Sequence, residues 1–408
     1  MRRPVELAVL GLLLSVTAAQ ADLDSYVQVE QGRYLAVVGD CQACHASAKG
    51  PLAGGRAIET PFGNINAANL TPDRDTGLGR WSAEDFWHAL HDGHSVTDGH
   101  LYPAFPYNYY TKVTRADSDA LFAFLHSVEP VSNPVDRNTL PWPFSMRASM
   151  VAWNAVNFTP GVFQPDPGRS VEFNRGAYLV EGLGHCGACH TPMNAIGGPR
   201  DSQHLQGNSI QNWFVPNLTN DSQAGLGSWS ADDIVQYLQT GRTLHAAAAG
   251  PMGEVIAVST SKMTAPDLHA MAVYLKERGA AGPTPPTPLP AGNAQMTEGE
   301  AVYADNCSAC HARSGMGVAY LFPALAGAPS VRQADPGTTI RVIIAGAQVV
   351  STPAAPTAPA MPSFGWHLSN EQIANVVTYL RNSWGNAAPA VGAAQVSKIR
   401  EVVAAPGK

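Results

Sequence analysis

The six cysteines of the chain all fall in three copies of one pattern: CQACH (Cys41, Cys44, His45), CGACH (Cys186, Cys189, His190) and CSACH (Cys307, Cys310, His311). Two thiols three residues apart can reach the two vinyl groups of one macrocycle as thioethers, and the following His then offers its imidazole to the iron. A lone C-x-x-C also suits a dithiol redox pair or half a zinc site. Neither needs a following His, and neither predicts three copies with no cysteine left over. The pattern reads as covalent attachment of three haem c groups, with His45, His190 and His311 as axial ligands.

An iron that only transfers electrons commonly takes a Met thioether on its other side. Met252 in AAAAGPMGEV and Met361 in TAPAMPSFGW occupy such places, twelve residues before Thr264 and eight before Ser369. In the first repeat the matching zone is YPAFP, where Phe105 stands in place of a methionine. Counting from the preceding helix ends, Gly93 and Gly241, leads to within one residue of the same position. Phe cannot ligate iron. The alternatives for the first haem are His100 in the same loop, His94 just upstream, Met146 downstream in LPWPFSMRASM, or an iron left five-coordinate.

These groups need a scaffold, and the scaffold repeats. A short helical pattern opens at Gly32, Gly176 and Gly299 before each motif. The first two repeats share NLTPDRDTGLGRWSAEDFWHALHDG and NLTNDSQAGLGSWSADDIVQYLQTG, with Ser82 and Ser230 as N-caps, acidic third positions, and Gly93 and Gly241 as C-caps. Each repeat closes on a capped amphipathic helix, from Thr114, Thr264 and Ser369, with Phe124-Leu125, Tyr274-Leu275 and Tyr379-Leu380 in matching places. The expected fold is all-α: three tandem cytochrome c domains with Pro-rich connectors. We assign a signal peptide to 1–21, domains to 22–145, 168–280 and 296–386, a Pro-rich linker to 281–295, and a flexible Ala/Pro-rich tail to 387–408.

Composition sets the surroundings. The chain has 408 residues, 45% hydrophobic and 14% charged, with net charge −7 and no basic cluster, which argues against a nucleic-acid partner. Arg2 and Arg3, an apolar run over Leu7 to Val16 and Ala19-Gln20-Ala21 form a secretory signal, so the mature chain is expected in the periplasm. No run is long enough to span a bilayer, leaving peripheral contact with the cytoplasmic membrane.

The three C-x-x-C-H motifs, together with GHCGACHTP and MPSFGWHLSNEQIANVVTYLRNSWGN, resemble the triheme cytochrome c subunit of membrane-bound bacterial dehydrogenases, which act on alcohols, gluconate or sugars. The resemblance implies a separate catalytic subunit, quinoprotein or flavoprotein, whose electrons pass through the haems to ubiquinone or a terminal oxidase. It also implies a Met at the Phe105 position, where this chain departs. YPAFPY versions look similar to cytochromes paired with molybdenum hydroxylases, an alternative partner. A multihaem enzyme with a catalytic five-coordinate first haem is a second alternative, opposed by the lack of an acid/base dyad in that stretch. A free-standing carrier is a third.

Overall fold

The computed structural model describes residue 23 and residues 25–404, except positions 138, 211, 212, 280, 281 and 283. The expected signal peptide and the last four residues lie outside them. The chain forms two compact units. One runs to Asn154 and includes Phe158–Phe163; the other takes in Ala155–Asn157 and everything from Gln164 onward.

The same helix crossing is built three times. Helix 25–38 meets helix Arg115–Ser127, helix Val171–Tyr178 meets Ala265–Lys276, and helix Ala294–Asn306 meets Asn370–Asn382. Each crossing turns on a glycine. A Cβ on Gly32 would lie 1.9 Å from the Ala120 carbonyl oxygen, one on Gly176 1.9 Å from that of Ala270, and one on Gly299 2.2 Å from that of Asn375. The β-carbons of Phe124, Tyr274 and Tyr379 would be 2.7–2.8 Å away in the same crossings. The glycines therefore sit within their helices, where the backbones touch, and do not open them as the sequence suggested. Leu35, Leu121 and Leu125 are at most 2% exposed beside the first crossing, each contributing about 1.5–3 kcal/mol of burial.

The intervening helices follow their caps. Ala83–Asp92 and Ala231–Thr240 each start from a reciprocal capping box, Ser82 with Asp85 and Ser230 with Asp233. Each stops at a left-handed glycine, Gly93 (φ 63°) and Gly241 (φ 73°). The structure is mostly helical, but four two-stranded antiparallel hairpins accompany the helices among the described residues. Those hairpins are too short to show as alternating runs in the sequence.

Within the expected 22–145 domain, residues 129–133 fold back over its 69–76 loop through Val131 N to Thr71 Oγ1 (3.1 Å) and Asn133 N to Thr76 Oγ1 (2.9 Å). Two further features depart from the sequence expectation. The second and third repeats share one compact unit, joined by bonds such as Gln333 Nε2 to Ala224 O (2.6 Å) and Phe214 N to Thr338 Oγ1 (2.8 Å). The tail is no loose end. Helix Ala393–Ala404 buries Val396 in the third repeat's core beside Ile399 and Val403. Arg400 Nη2 donates to Leu368 O (2.9 Å). Its alanines hide a helical apolar stripe that the Ala/Pro content obscured.

Replacing Gly176 by Ala should destabilise the second unit by about 3 kcal/mol or more, because the clash is with backbone. Gly279→Ala, which meets nothing within 4 Å, should stay within about 0.5 kcal/mol. Denaturant melts of the two variants test the pair, and equal stabilities would refute the crossing.

Candidate haem sites

Each motif forms a short helical turn, Cys41–His45, Cys186–His190 and Ser308–His311. The first two are entered through left-handed residues, Asp40 (φ 53°) and His185 (φ 38°), which break the preceding helix and redirect the chain. The third follows its helix without that break, and the left-handed residue instead comes after it, Ala312 (φ 59°). Before the second motif, the helix also widens into a π-turn over Leu179–Leu183.

The three motif histidines are held alike. His45 Nδ1 bonds the Ala68 carbonyl (2.6 Å), His190 Nδ1 that of Pro216 (2.7 Å), and His311 Nδ1 that of Pro323 (3.0 Å). A carbonyl only accepts, so Nδ1 carries the proton and Nε2 keeps its lone pair. Burial lowers the pKa of all three, outweighing that carbonyl bond, and takes His190 down to about 4. The imidazoles are neutral at physiological pH, as an iron ligand must be.

A glycine completes each arrangement. The carbonyls of His45, His190 and His311 accept from Gly54 N (2.6 Å), Gly207 N (2.8 Å) and Gly317 N (2.9 Å), all at positive φ. Each glycine also lies against the segment that receives Nδ1. A Cβ would come 2.5 Å from Ala68 O at Gly54, 2.9 Å from Val215 O at Gly207, and 2.7 Å from Pro323 O at Gly317. These glycines were missed in the sequence, where LAGGR and LQGNS share only Leu-x-Gly and GMGVA lacks even that.

The first cysteine of each motif is the more enclosed and the second is exposed, and none of the six pairs with another. Burial pushes the Cys41 and Cys186 thiols up to about 12 and Cys307 up to about 11. The sites thus offer two thiols outside any disulfide beside a neutral imidazole whose Nε2 keeps its lone pair, a donor set that fits covalent haem.

The positions expected to supply the second axial ligand differ between the repeats. Met252 sits in the first turn of helix Gly250–Val258, and Met361 ends a short strand and packs on the third core. Phe105 lies 5.1 Å, ring to ring, from Tyr110, whose hydroxyl donates to Gly39 O (3.1 Å) at the entry to the first motif. The structure therefore brings Phe105 to the first haem motif. His94 and His100 face each other across paired strands with rings 5.4 Å apart. The buried His100 Nδ1 has no partner among the described residues. Met146 is 49% exposed, but the adjacent Arg147 donates to His100 O (3.0 Å) and covers the Tyr102 ring. His100 and Met146 thus belong to one neighbourhood.

Beside the second motif lies a polar cluster that no motif announced. Glu181, on the π-turn, accepts from Tyr274 OH (2.5 Å) and pairs with His204 Nε2 (2.8 Å). Arg278 bonds Tyr274 OH (2.9 Å). Burial alone would raise the Glu181 carboxyl, yet His204, Tyr274 and Arg278 together hold it below the usual range.

A cytochrome c family model matches residues 296–384. The chain is 41% identical to the cytochrome c subunit of the quinone alcohol dehydrogenase of Gluconacetobacter polyoxogenes, over 97% of this chain and 88% of that one. It is 40% identical to the gluconate 2-dehydrogenase cytochrome c subunit of Pantoea cypripedii, over 98% and 96%. With the fructose dehydrogenase cytochrome subunit of Gluconobacter japonicus it shares 37%, over 91% and 82%. The chain belongs to this family of dehydrogenase cytochrome c subunits. Its place is that of an electron-transfer subunit, distinct from the subunit that carries out catalysis.

Two outcomes test the site of this cytochrome subunit. Gly317→Ala should displace the Pro323 carbonyl and alter the signal of one haem in an electron paramagnetic resonance spectrum; an unchanged spectrum would remove the glycine from the site. Glu181→Gln should cost about 1–3 kcal/mol at neutral pH. The native carboxyl is depressed, so its contribution is present above the ordinary carboxylate range and fades as pH falls through the lower folded value. Stability should therefore fall more steeply in acid for the native protein than for Glu181→Gln, as melts across the pH range would read.

Proposed function

We propose that the chain is a triheme relay of three tandem cytochrome c domains, exported to the periplasm and resting on the membrane surface. It would take electrons from a catalytic dehydrogenase subunit and deliver them to ubiquinone. Haem, when bound, supplies one-electron iron chemistry. The observation that carries the reading is the threefold carbonyl lock on His45, His190 and His311, which prepares three imidazoles identically for an axial bond.

The protein's own residues do the rest. Cys41, Cys44, Cys186, Cys189, Cys307 and Cys310 anchor the macrocycles, and Met252 and Met361 supply thioethers to the second and third. The first site differs because Phe105 offers no lone pair. His100 is our choice for that position, since its unpartnered Nδ1 is buried in the same loop. Peripheral attachment accords with the absence, among the described residues, of any helix long and apolar enough to cross a membrane.

The test is a haem count. Purified protein should hold three haems per chain by pyridine haemochrome assay, and the double variant Cys186→Ser, Cys189→Ser should hold two. Reduction by substrate should require the dehydrogenase subunit; turnover by the chain alone would contradict the relay. Phe105→Met should raise one potential in a redox titration if the first iron has an open or exchangeable position. An unaltered titration would mean that a firmly bound ligand such as His100 is already in place.

A further inference from the structure

Met361 closes a hairpin. Ala347–Gln348 pairs with Ala360–Met361, in the register Ala347 with Met361 and Gln348 with Ala360, and Val349 N donates to Pro359 O (3.0 Å). The stem admits no slack, since a Cβ on Gly346 would stand 2.7 Å from the Met361 carbonyl oxygen. The tip is seated on the second repeat.

Arg242, on the turn after helix Ala231–Thr240, is 6% exposed and spends its guanidinium on this tip. Nη1 donates to Thr357 Oγ1 (3.0 Å), and Nη2 to the carbonyls of Val350 and Ala355 (3.4 Å each). Val350 N returns a bond to Ala248 O (3.0 Å). The Val350 side chain fills the space left by Gly241 and comes to ordinary contact distance of Gly253. A Cβ on Gly241 would lie 2.3 Å from Val350 Cγ1, and one on Gly253 3.6 Å from Val350 Cβ. Gly253 directly follows Met252. One hairpin thus has Met361 in its stem and the neighbour of Met252 under its tip.

We propose that Arg242 is a positioning residue for Met361, acting across the boundary between repeats: the second repeat holds the ligand loop of the third. The proposal rests on the reading of Met361 as a thioether ligand. A planar fork suits this tip, because Nη1 and Nη2 leave the guanidinium in fixed, separate directions and meet acceptors on both of its strands, whereas an ammonium would have to reach all three from one nitrogen. Seating Val350 against Gly241 and Gly253 fixes the tip from the other side. A change in either contact is therefore transmitted down the stem to the sulfur.

The experiment uses the full, haem-loaded chain and reads the sulfur-to-iron charge-transfer band together with a redox titration. Met361→Ala should remove about half of that band, the share of one of two thioether sites. Arg242→Ala should weaken the same share and lower the same potential, with haem content unchanged. Thr357→Val, on the exposed tip, should shift both in the same direction by less, and it keeps the test open if Arg242→Ala fails to load haem. Arg242→Lys should fall between native and Ala. If Met361→Ala changes the band while Arg242→Ala or Thr357→Val leave band and potential native, the clamp is overturned and the ligand stands. If Met361→Ala leaves the band intact, the ligand reading falls and takes the clamp with it.

Discussion

The hydrogen bond from each motif His to a backbone carbonyl is the constraint on which the rest of the molecule depends. An imidazole can bond iron through Nε2 only if the proton stays on Nδ1, and a carbonyl acceptor enforces that in all three repeats. The acceptors do not come from the motif helices. Ala68 and Pro216 immediately precede Asn69-Leu70-Thr71 and Asn217-Leu218-Thr219, the start of the block shared by the first two repeats. Asn69 Oδ1 accepts from Thr71 N (2.9 Å) and Asn217 Oδ1 from Thr219 N (2.7 Å). The block therefore fixes the turn that presents the preceding carbonyl, as well as starting a helix.

This explains what could and could not be seen in the sequence. The N-caps at Ser82, Ser230 and Ser369 and the closing amphipathic helices with their aromatic residues are local patterns, and these formed as read. The glycines at 54, 207 and 317 are set by an approach between segments separated by up to fourteen positions, and only a Leu two residues earlier is common to the first two. Position, more than spelling, was conserved by the geometry. The same holds for the tail helix, whose Val396, Ile399 and Val403 find a core that its own composition does not advertise.

The first repeat shows how much can vary while that constraint is kept. Its His45 lock and its Gly32 crossing match the others, yet at the position where the family resemblance implies a Met it has Phe105, whose ring packs on Tyr110. Tyr110 is buried with its hydroxyl on Gly39 O, so burial, with the nearby Cys41 and Cys44 thiols adding to it, drives its pKa well above the ordinary value. The phenol stays protonated and acts as a hydrogen-bond donor, stiffening the motif's entry. Apolar packing here maintains the shape of the loop with a side chain that carries no donor atom, so the loop's chemistry can differ without a change of fold.

The second and third repeats carry the opposite lesson, that a site need not be self-contained. Separate electron carriers joined by a Pro-rich segment would leave each potential to its own domain. Here Leu289, within that segment, donates to Asn382 Oδ1 (3.0 Å), and Arg332 Nη1 reaches Gln223 (3.0 Å). Arg381, wholly buried, spends its donors on the carbonyls of Val331, Gln333, Ala334 and Pro389. Such groups cannot be left unpaired at low cost, so Arg381 fixes the third repeat's 331–334 segment, and from that segment Arg332 and Gln333 bond Gln223 and the Ala224 carbonyl of the second repeat. Two repeats fixed in this way keep the spacing between their motifs constant, and a relay needs that constancy more than it needs independent domains.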